Sequence, residues 1–222
     1  FPLEFGPQGT EVFIRIQTEG AAKFPILLWD ERDLFETDES VVLKSGLILG
    51  AIAFVTLYNF LIFVWTRERW YLAYVVYIGS SGILLASLDG LTYQFLWPNQ
   101  PGWHAMSTTF LVPFAAVSAL WFTLEFLDLK ARGSWYFSVT RVALIVGSLM
   151  TLLSFVLPYS VSLAVSVPGV LIPTTLLCIF FGAHLWKQGY LPARYYLLSW
   201  IVFLSGAAAK GLNLLGVFPS FF

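Results

Sequence analysis

The sequence predicts an all-α membrane protein, a polytopic bundle of six transmembrane helices. Hydrophobic residues make up 58% of the 222 residues and charged residues only 11%. A soluble domain carries about 25% charged residues, so a chain this apolar cannot bury its surface in one aqueous core. The apolar residues also fall into runs close to the roughly 20 residues that cross a bilayer. The lipid bilayer is therefore the first predicted partner.

The chain opens with a segment, residues 1–30, that predicts strands rather than a membrane helix. Residues 11–17 alternate apolar and polar side chains, and residues 24–29 form a second short apolar run. Two strands alone are marginally stable in water. We therefore interpret this β-hairpin as the last strands of a β-sandwich domain. Residues 31–44 are predicted to form a helical lead-in to the membrane domain, residues 45–222.

Six apolar runs follow the lead-in, each near the length of a membrane-spanning helix. The predicted spans cover about 45–65, 71–88, 105–124, 142–157, 161–186 and 194–215. The first contains no charged residue. Pro168 and Pro173 should kink the fifth. Lys210 interrupts the sixth. Residues 89–104, between the second and third spans, are predicted to form an irregular loop.

Lysine and arginine are unevenly distributed among the predicted connections. Seven lie in or beside the first, third and fifth connections: Arg67, Arg69, Lys130, Arg132, Arg141, Lys187 and Arg194. The connections 89–104, 158–160 and 216–222 contain none. Cytoplasmic loops carry an excess of basic residues, so the odd-numbered connections are predicted to be cytoplasmic and the N-terminus outside.

Lys210 is a charged residue within a predicted span, and such residues are functional hypotheses by default. A retinal Schiff base would need an acidic counter-ion in mid-span, and the sequence supplies none. Two interpretations stay open. Lys210 pairs with Asp89 near Asn213, forming an outer-face polar pair or ligand vestibule, or its amine extends to interfacial water.

Small and amide residues in the spans are candidates for helix packing. Gly46 and Gly50 are four apart in the first span, and Ala207 and Gly211 are four apart in the sixth. This spacing allows close approach of helices, either across a homodimer or within the monomer. Asn59 is expected to form a hydrogen bond to a neighbouring helix.

Several functions are excluded by what the sequence lacks. His104 and His184 are predicted at opposite faces, about 30 Å apart, so they cannot bind one metal ion. No Ser/His, Cys/His or Asp/Asp pair lies at matching depth for intramembrane catalysis. The sequence also offers no basic surface for nucleic acid. We predict no catalytic residue, cofactor or metal, and the chain itself is not expected to be an enzyme.

Four stretches, in order along the chain, carry a family resemblance. They are TLYNFLIF at 56–63, WYLAYVVY at 70–77, SLDGLTYQFLWP at 87–98 and GYLPARYYLLSW at 189–200. With them the chain resembles the bacterial seven-transmembrane receptors with diverse intracellular signalling modules. The resemblance implies that these six spans are a fragment of a seven-helix receptor. The seventh helix would begin just past Phe222.

The resemblance also implies a function and partners. The β-hairpin would close an extracytoplasmic sandwich similar to carbohydrate-binding modules, which suggests a carbohydrate-like ligand. A cytoplasmic output domain in cis, such as a histidine kinase or diguanylate cyclase, would receive the signal. The expected location is the inner membrane of a bacterium. The alternative is a transporter or half-transporter for a small solute, in which Pro168 and Pro173 would mark a broken helix.

Overall fold

A computed structural model describes the backbone of residues 31–214 and the side chains of residues 42–206 and Ala208. All regular secondary structure in this part of the chain is helical, which confirms the predicted all-α membrane bundle. The predicted N-terminal β-hairpin lies outside the described residues.

Nine α-helices and one π-helical turn make up the described part of the chain. They are α1 (Glu31–Thr66), α2 (Arg69–Leu88), α3 (Leu91–Phe95), α4 (Pro101–Phe126), α5 (Leu129–Arg132), α6 (Ser134–Leu153), α7 (Tyr159–Ser166), the π turn (Val167–Leu171), α8 (Ile172–Lys187) and α9 (Leu191–Leu214).

Five helical segments are long and apolar enough to cross a membrane. They are Val42–Thr66, Arg69–Leu88, Pro101–Phe126, Ser134–Leu153 and Tyr159–Lys187. Helix α9 occupies the sixth predicted span and is 24 residues long. That α9 also crosses the bilayer stays a prediction.

Two local structures differ from the sequence-based expectation. The fourth membrane helix is Ser134–Leu153, whereas the sequence placed the span at 142–157. The apolar run begins only after Arg141, but the helix begins after Gly133, whose φ of 154° suits glycine. Residues 154–157 turn ahead of Pro158, since a residue before proline avoids the helical conformation. The expected irregular loop 89–104 contains α3 and the first turn of α4.

Helix α4 occupies the centre of the bundle. In its most apolar stretch 56% of the residues are buried, against none in α1 and 22% in each of the other three candidate spans. Helices α2, α6, α7 and α8 pack against α4, while α1 packs against α2 and α9 against α8. Helix α4 therefore contacts most of the other long helices of the bundle.

The connections between helices lie at two opposite ends of the bundle. We name them the α3 side, with the α2–α4 and α6–α7 connections, and the α5 side, with the α1–α2, α4–α6 and α8–α9 connections. Ring contacts support the assignment. The ring centroids of Trp70 and Phe126 are 5.9 Å apart on the α5 side, and those of Phe110 and Phe155 are 5.0 Å apart towards the α3 side.

Three glycines allow the helices to pack closely. A Cβ atom at Gly147 of α6 would lie 2.5 Å from Val117 Cγ2 of α4. At Gly82 of α2 it would lie 2.6 Å from Ile52 Cγ2, and at Gly182 of α8 2.9 Å from Leu197 Cδ2. A methyl group at these distances would force the neighbouring side chains to shift, so glycine permits the close approach of the helices.

The π turn separates α7 from α8 at the position where the prolines predicted a kink. Neither Pro168 nor Pro173 has an N–H for the helical hydrogen bond. Buried residues recur every four positions through this region: Ser162, Ser166, Val170, Thr174 and Cys178. In a regular α-helix this spacing would drift by about 160° from the first to the last. A π turn winds more residues per turn, which offsets part of that drift and keeps the residues facing the bundle.

Candidate functional site

The structure describes only part of the predicted outer polar pair. Asp89 ends α2 on the α3 side, is exposed, and donates its backbone N–H to Leu85 O at 3.0 Å. Lys210 and Asn213 belong to α9, but their side chains lie outside the described residues. The Asp89–Lys210 pair and a ligand vestibule beside it stay predictions.

The predicted packing residues have mixed outcomes. Nothing in the described part of the chain lies within 4 Å of a Cβ built at Gly46 or Gly50, so that face of α1 is open. Asn59 Nδ2 donates to Val55 O at 2.8 Å, one turn back in its own helix. The expected bond from Asn59 to a neighbouring helix stays a prediction, since the amide keeps a second N–H and its oxygen for other partners. The side chains of Ala207 and Gly211 lie outside the described residues.

A buried polar cluster on the α5 side joins three helices. Thr123 Oγ1 of α4 lies 2.7 Å from Tyr196 Oη of α9 and 3.2 Å from Cys178 Sγ of α8. All three side chains are buried, with exposures of 0% for Thr123, 0% for Cys178 and 3% for Tyr196. We call these residues the threonine cluster.

The hydrogen bonds of the threonine cluster can be assigned by counting protons. Thr123 has one hydroxyl proton, and two acceptors are within reach: Ala119 O at 2.7 Å and Cys178 Sγ at 3.2 Å. The Tyr196 hydroxyl can donate to a lone pair of Thr123 in either case. No hydroxyl group in the threonine cluster is left unpaired, as is usual for buried polar groups.

Aromatic rings extend the threonine cluster towards α2. Phe126 of α4 is stacked with Tyr196 at a centroid distance of 6.0 Å and meets Trp70 of α2 edge-on. Phe122 lies between Tyr77 and Tyr196, at 6.0 and 6.3 Å. Such ring pairs add specificity to packing. Contacting aromatic rings therefore connect α2, α4 and α9 on the α5 side of the bundle.

Arg132 joins two connections on the α5 side. Its Nε–H donates to Leu127 O at 2.9 Å, which closes the turn between α4 and α5. Its guanidinium carbon lies 3.5 Å from the ring centroid of Tyr190, in the connection between α8 and α9. This geometry is a cation–π contact. It ties the α4–α6 connection, which contains Lys130, to the α8–α9 connection, which follows Lys187.

A second polar cluster lies on the α3 side, where α2, α3 and α4 meet. His104 Nδ1 is 3.4 Å from Trp97 Nε1 and 3.4 Å from Thr92 Oγ1. Thr92 in turn donates to Ser87 Oγ at 3.1 Å. We call these four residues the histidine cluster. Between the two clusters, Ser80 of α2 and Ser118 of α4 share a buried hydrogen bond of 3.0 Å.

The arrangement offers packing and hydrogen bonds rather than reactive groups. In the described part of the chain no group of three or more His, Cys, Asp or Glu residues could hold a metal ion. His184 lies on the α5 side, with Gln188 Nε2 at 3.2 Å, and His104 lies on the α3 side. Helix α4 contributes a residue to both polar clusters. It is therefore the element that connects the two ends of the bundle.

The sequence did not single out Thr123 or Tyr196. Threonine is common in membrane helices, where it usually bonds its own backbone. The only available signal was Tyr196, a polar hydroxyl within the stretch 189–200 that carries the resemblance. A threonine at matching depth on another helix would then have been the natural partner to seek.

A family model described as 7TM diverse intracellular signalling matches residues 42–222. No curated protein and no solved structure matches the chain.

Proposed function

Because the chain belongs to the 7TM diverse intracellular signalling family, and is therefore a membrane signalling receptor module, we propose that it relays an extracytoplasmic signal along α4 to a cytoplasmic output domain. The observation that supports this relay is the position of α4. It is the most buried helix among the candidate spans, with the histidine cluster at its start and the threonine cluster near its end. A packed helix held at both ends moves as a unit, since close-packed interiors transmit strain.

The proposal includes a direction for the signal. Six of the seven basic residues that define the predicted cytoplasmic face lie on the α5 side, whereas Arg141 lies within α6. This distribution supports a cytoplasmic α5 side and an extracytoplasmic N-terminus. We place the receptor in the inner membrane of a bacterium, in keeping with the resemblance.

The partners at each end are also part of the proposal. A carbohydrate-like ligand would bind the sandwich domain that residues 1–30 would complete. A histidine kinase or diguanylate cyclase in cis would receive the signal, so the catalysis would lie outside this chain. The open face at Gly46 and Gly50 supports a homodimer through α1, because glycines four apart let two helices approach closely.

The relay can be tested by disturbing one end of the bundle and measuring the other. Spin labels at Lys130→Cys and Lys187→Cys report the distance between two α5-side connections, and the native cysteine, Cys178, is fully buried. Phe155→Ala removes the ring that packs on Phe110 towards the α3 side. A relay predicts that Phe155→Ala changes the distance distribution on the α5 side.

The control is Phe95→Ala, which removes an exposed ring on the same side and should leave the distances unchanged. Identical distributions in Phe155→Ala and the native sequence would refute the relay. Uptake into proteoliposomes addresses the transporter alternative. Saturable solute flux would replace the receptor proposal with a transport function.

A further inference from the structure

The histidine cluster places one nitrogen atom of His104 between two groups of different chemistry. On one side is the indole Nε1–H of Trp97, and on the other the hydroxyl of Thr92, both 3.4 Å from Nδ1. The imidazole is half-buried, so water on the α3 side can exchange protons with it.

The neutral imidazole of His104 can accept a hydrogen bond from Trp97. The indole N–H can only donate, so Nδ1 must carry its lone pair and the ring proton must be on Nε2. The Thr92 hydroxyl donates its own proton to Ser87 Oγ at 3.1 Å. In this state the Nδ1 lone pair accepts from Trp97, while a lone pair of the Thr92 oxygen also faces Nδ1.

The protonated imidazole of His104 can donate a hydrogen bond to Thr92. A proton taken from water onto Nδ1 makes this nitrogen a donor, so it and the Trp97 N–H would oppose each other. The Thr92 oxygen, whose proton is already committed to Ser87, has a lone pair free to accept. Protonation therefore exchanges the bond to Trp97 for a bond to Thr92, with no other bond made or broken.

We propose that the histidine cluster is a proton-operated switch on the α3 side, in which protonation of His104 releases the side chain of Trp97. The proposal does not depend on the receptor function. Thr92 is held in place because its carbonyl accepts from the backbone N–H groups of Leu96 and Trp97 at 2.9 and 3.1 Å, and its side chain is 2% exposed. Trp97 is therefore the group that moves.

The other titratable groups at this end of the bundle are carboxyl and phenol groups. They are Asp89 at the end of α2, Tyr93 of α3, whose ring meets His104 edge-on at 5.5 Å, and Tyr159 at the start of α7, which packs on α4. An ordinary carboxyl or phenol does not titrate between about pH 5 and 8, whereas histidine does. The Lys210 side chain lies outside the described residues, so the test must separate it from His104.

The test uses the full 222-residue chain in lipid nanodiscs, labelled with 5-fluorotryptophan. The fluorine resonance that disappears in Trp97→Phe identifies Trp97. We expect this resonance to shift between pH 8 and pH 5, the range in which histidine side chains change their charge. The resonance of Trp65, an exposed residue on the α5 side, is the internal reference.

Two variants decide the outcome. In His104→Gln the Trp97 resonance should be independent of pH. In Thr92→Val the protonated imidazole loses its acceptor, so the midpoint should fall by about 0.5 pH units or more. A pH-dependent Trp97 in His104→Gln would assign the titration to another group and overturn the proposal. So would a native Trp97 that does not respond to pH, or an unchanged midpoint in Thr92→Val.

Discussion

Thr123 and Tyr196 are 73 residues apart in the sequence, yet their hydroxyl oxygens lie 2.7 Å apart in the bundle interior. This contact is a direct polar link between α4 and α9. Because both side chains are buried, each hydroxyl group needs a partner within the protein, and this contact supplies one.

The first prediction concerns this bond. Thr123→Val and Tyr196→Phe should each lower the free energy of unfolding, and the double variant should lose less than the sum of the two. The coupling should be about 0.6 kcal/mol and at most about 1.7 kcal/mol, the range for hydrogen bonds between membrane helices. Unfolding by sodium dodecyl sulfate in mixed micelles measures it. Tyr195→Phe, at an exposed neighbour, is the control, and strictly additive losses would contradict the bond.

The second prediction concerns the contact between α4 and α6. Gly147→Ala places a methyl group 2.5 Å from Val117 Cγ2, so it should destabilise the protein by about 1–3 kcal/mol. Gly50→Ala is the matched control, since no described atom lies within 4 Å of its new methyl group. Thermal unfolding in monomeric detergent micelles separates the two. Equal stability of both variants would show that α4 and α6 are less closely packed than described.

The third prediction concerns the π turn. Deleting Gly169 should convert the turn Val167–Leu171 into regular α-helix, because a π turn holds one residue more than the α-helical path. The protein should still fold, with α8 close to its native orientation. Deleting Ile179 within α8 should instead rotate the residues after it by about 100° and expose Phe181, which is fully buried. Size-exclusion chromatography after heating compares the two deletions, and equal damage would contradict the prediction.

The fourth prediction concerns Arg132. Arg132→Gln removes the cation–π contact to Tyr190 and the bond to Leu127 O, so both connections should open more often. A contact of about 0.5–1 kcal/mol corresponds to roughly two- to fivefold faster amide exchange in residues 127–133 and 188–190. Lys130→Gln changes an exposed neighbouring charge and serves as the control. Faster exchange in only one of the two connections would contradict the prediction that Arg132 holds both.

The spans could be predicted from the sequence because hydrophobic length responds directly to bilayer thickness. The start of α6 could not, because a charged residue such as Arg141 can lie inside a helix and still reach water at the interface. Helix α3 was missed for a different reason. Gly90, with a φ of 77°, allows a sharp turn, and five residues are too few for a periodic pattern.

The polar clusters were less predictable than the helices. Their members are hydroxyl groups whose function depends on which helices become neighbours, and the sequence does not fix that pairing. The charged residue Lys210 attracted attention because an intramembrane charge is rare. Thr123 and Tyr196 carry no such signal, although the described structure pairs them across α4 and α9. The packing of the glycines also differed from the expectation. Gly46 and Gly50 have no described atom within 4 Å of a built Cβ, whereas Gly147 packs against Val117.

Helix α1 extends without interruption from Glu31 to Thr66, 36 residues in all. At 1.5 Å per residue it is about 54 Å long, whereas the hydrocarbon layer is about 30 Å thick. A stiff rod of this length works as a lever. In the proposed relay, a tilt of the outer end of α1 would displace Thr66 in the opposite direction, and a push along the axis would also act there. The segment between Thr66 and α2 is only two residues long, so it offers little slack to absorb either motion before α2 is moved.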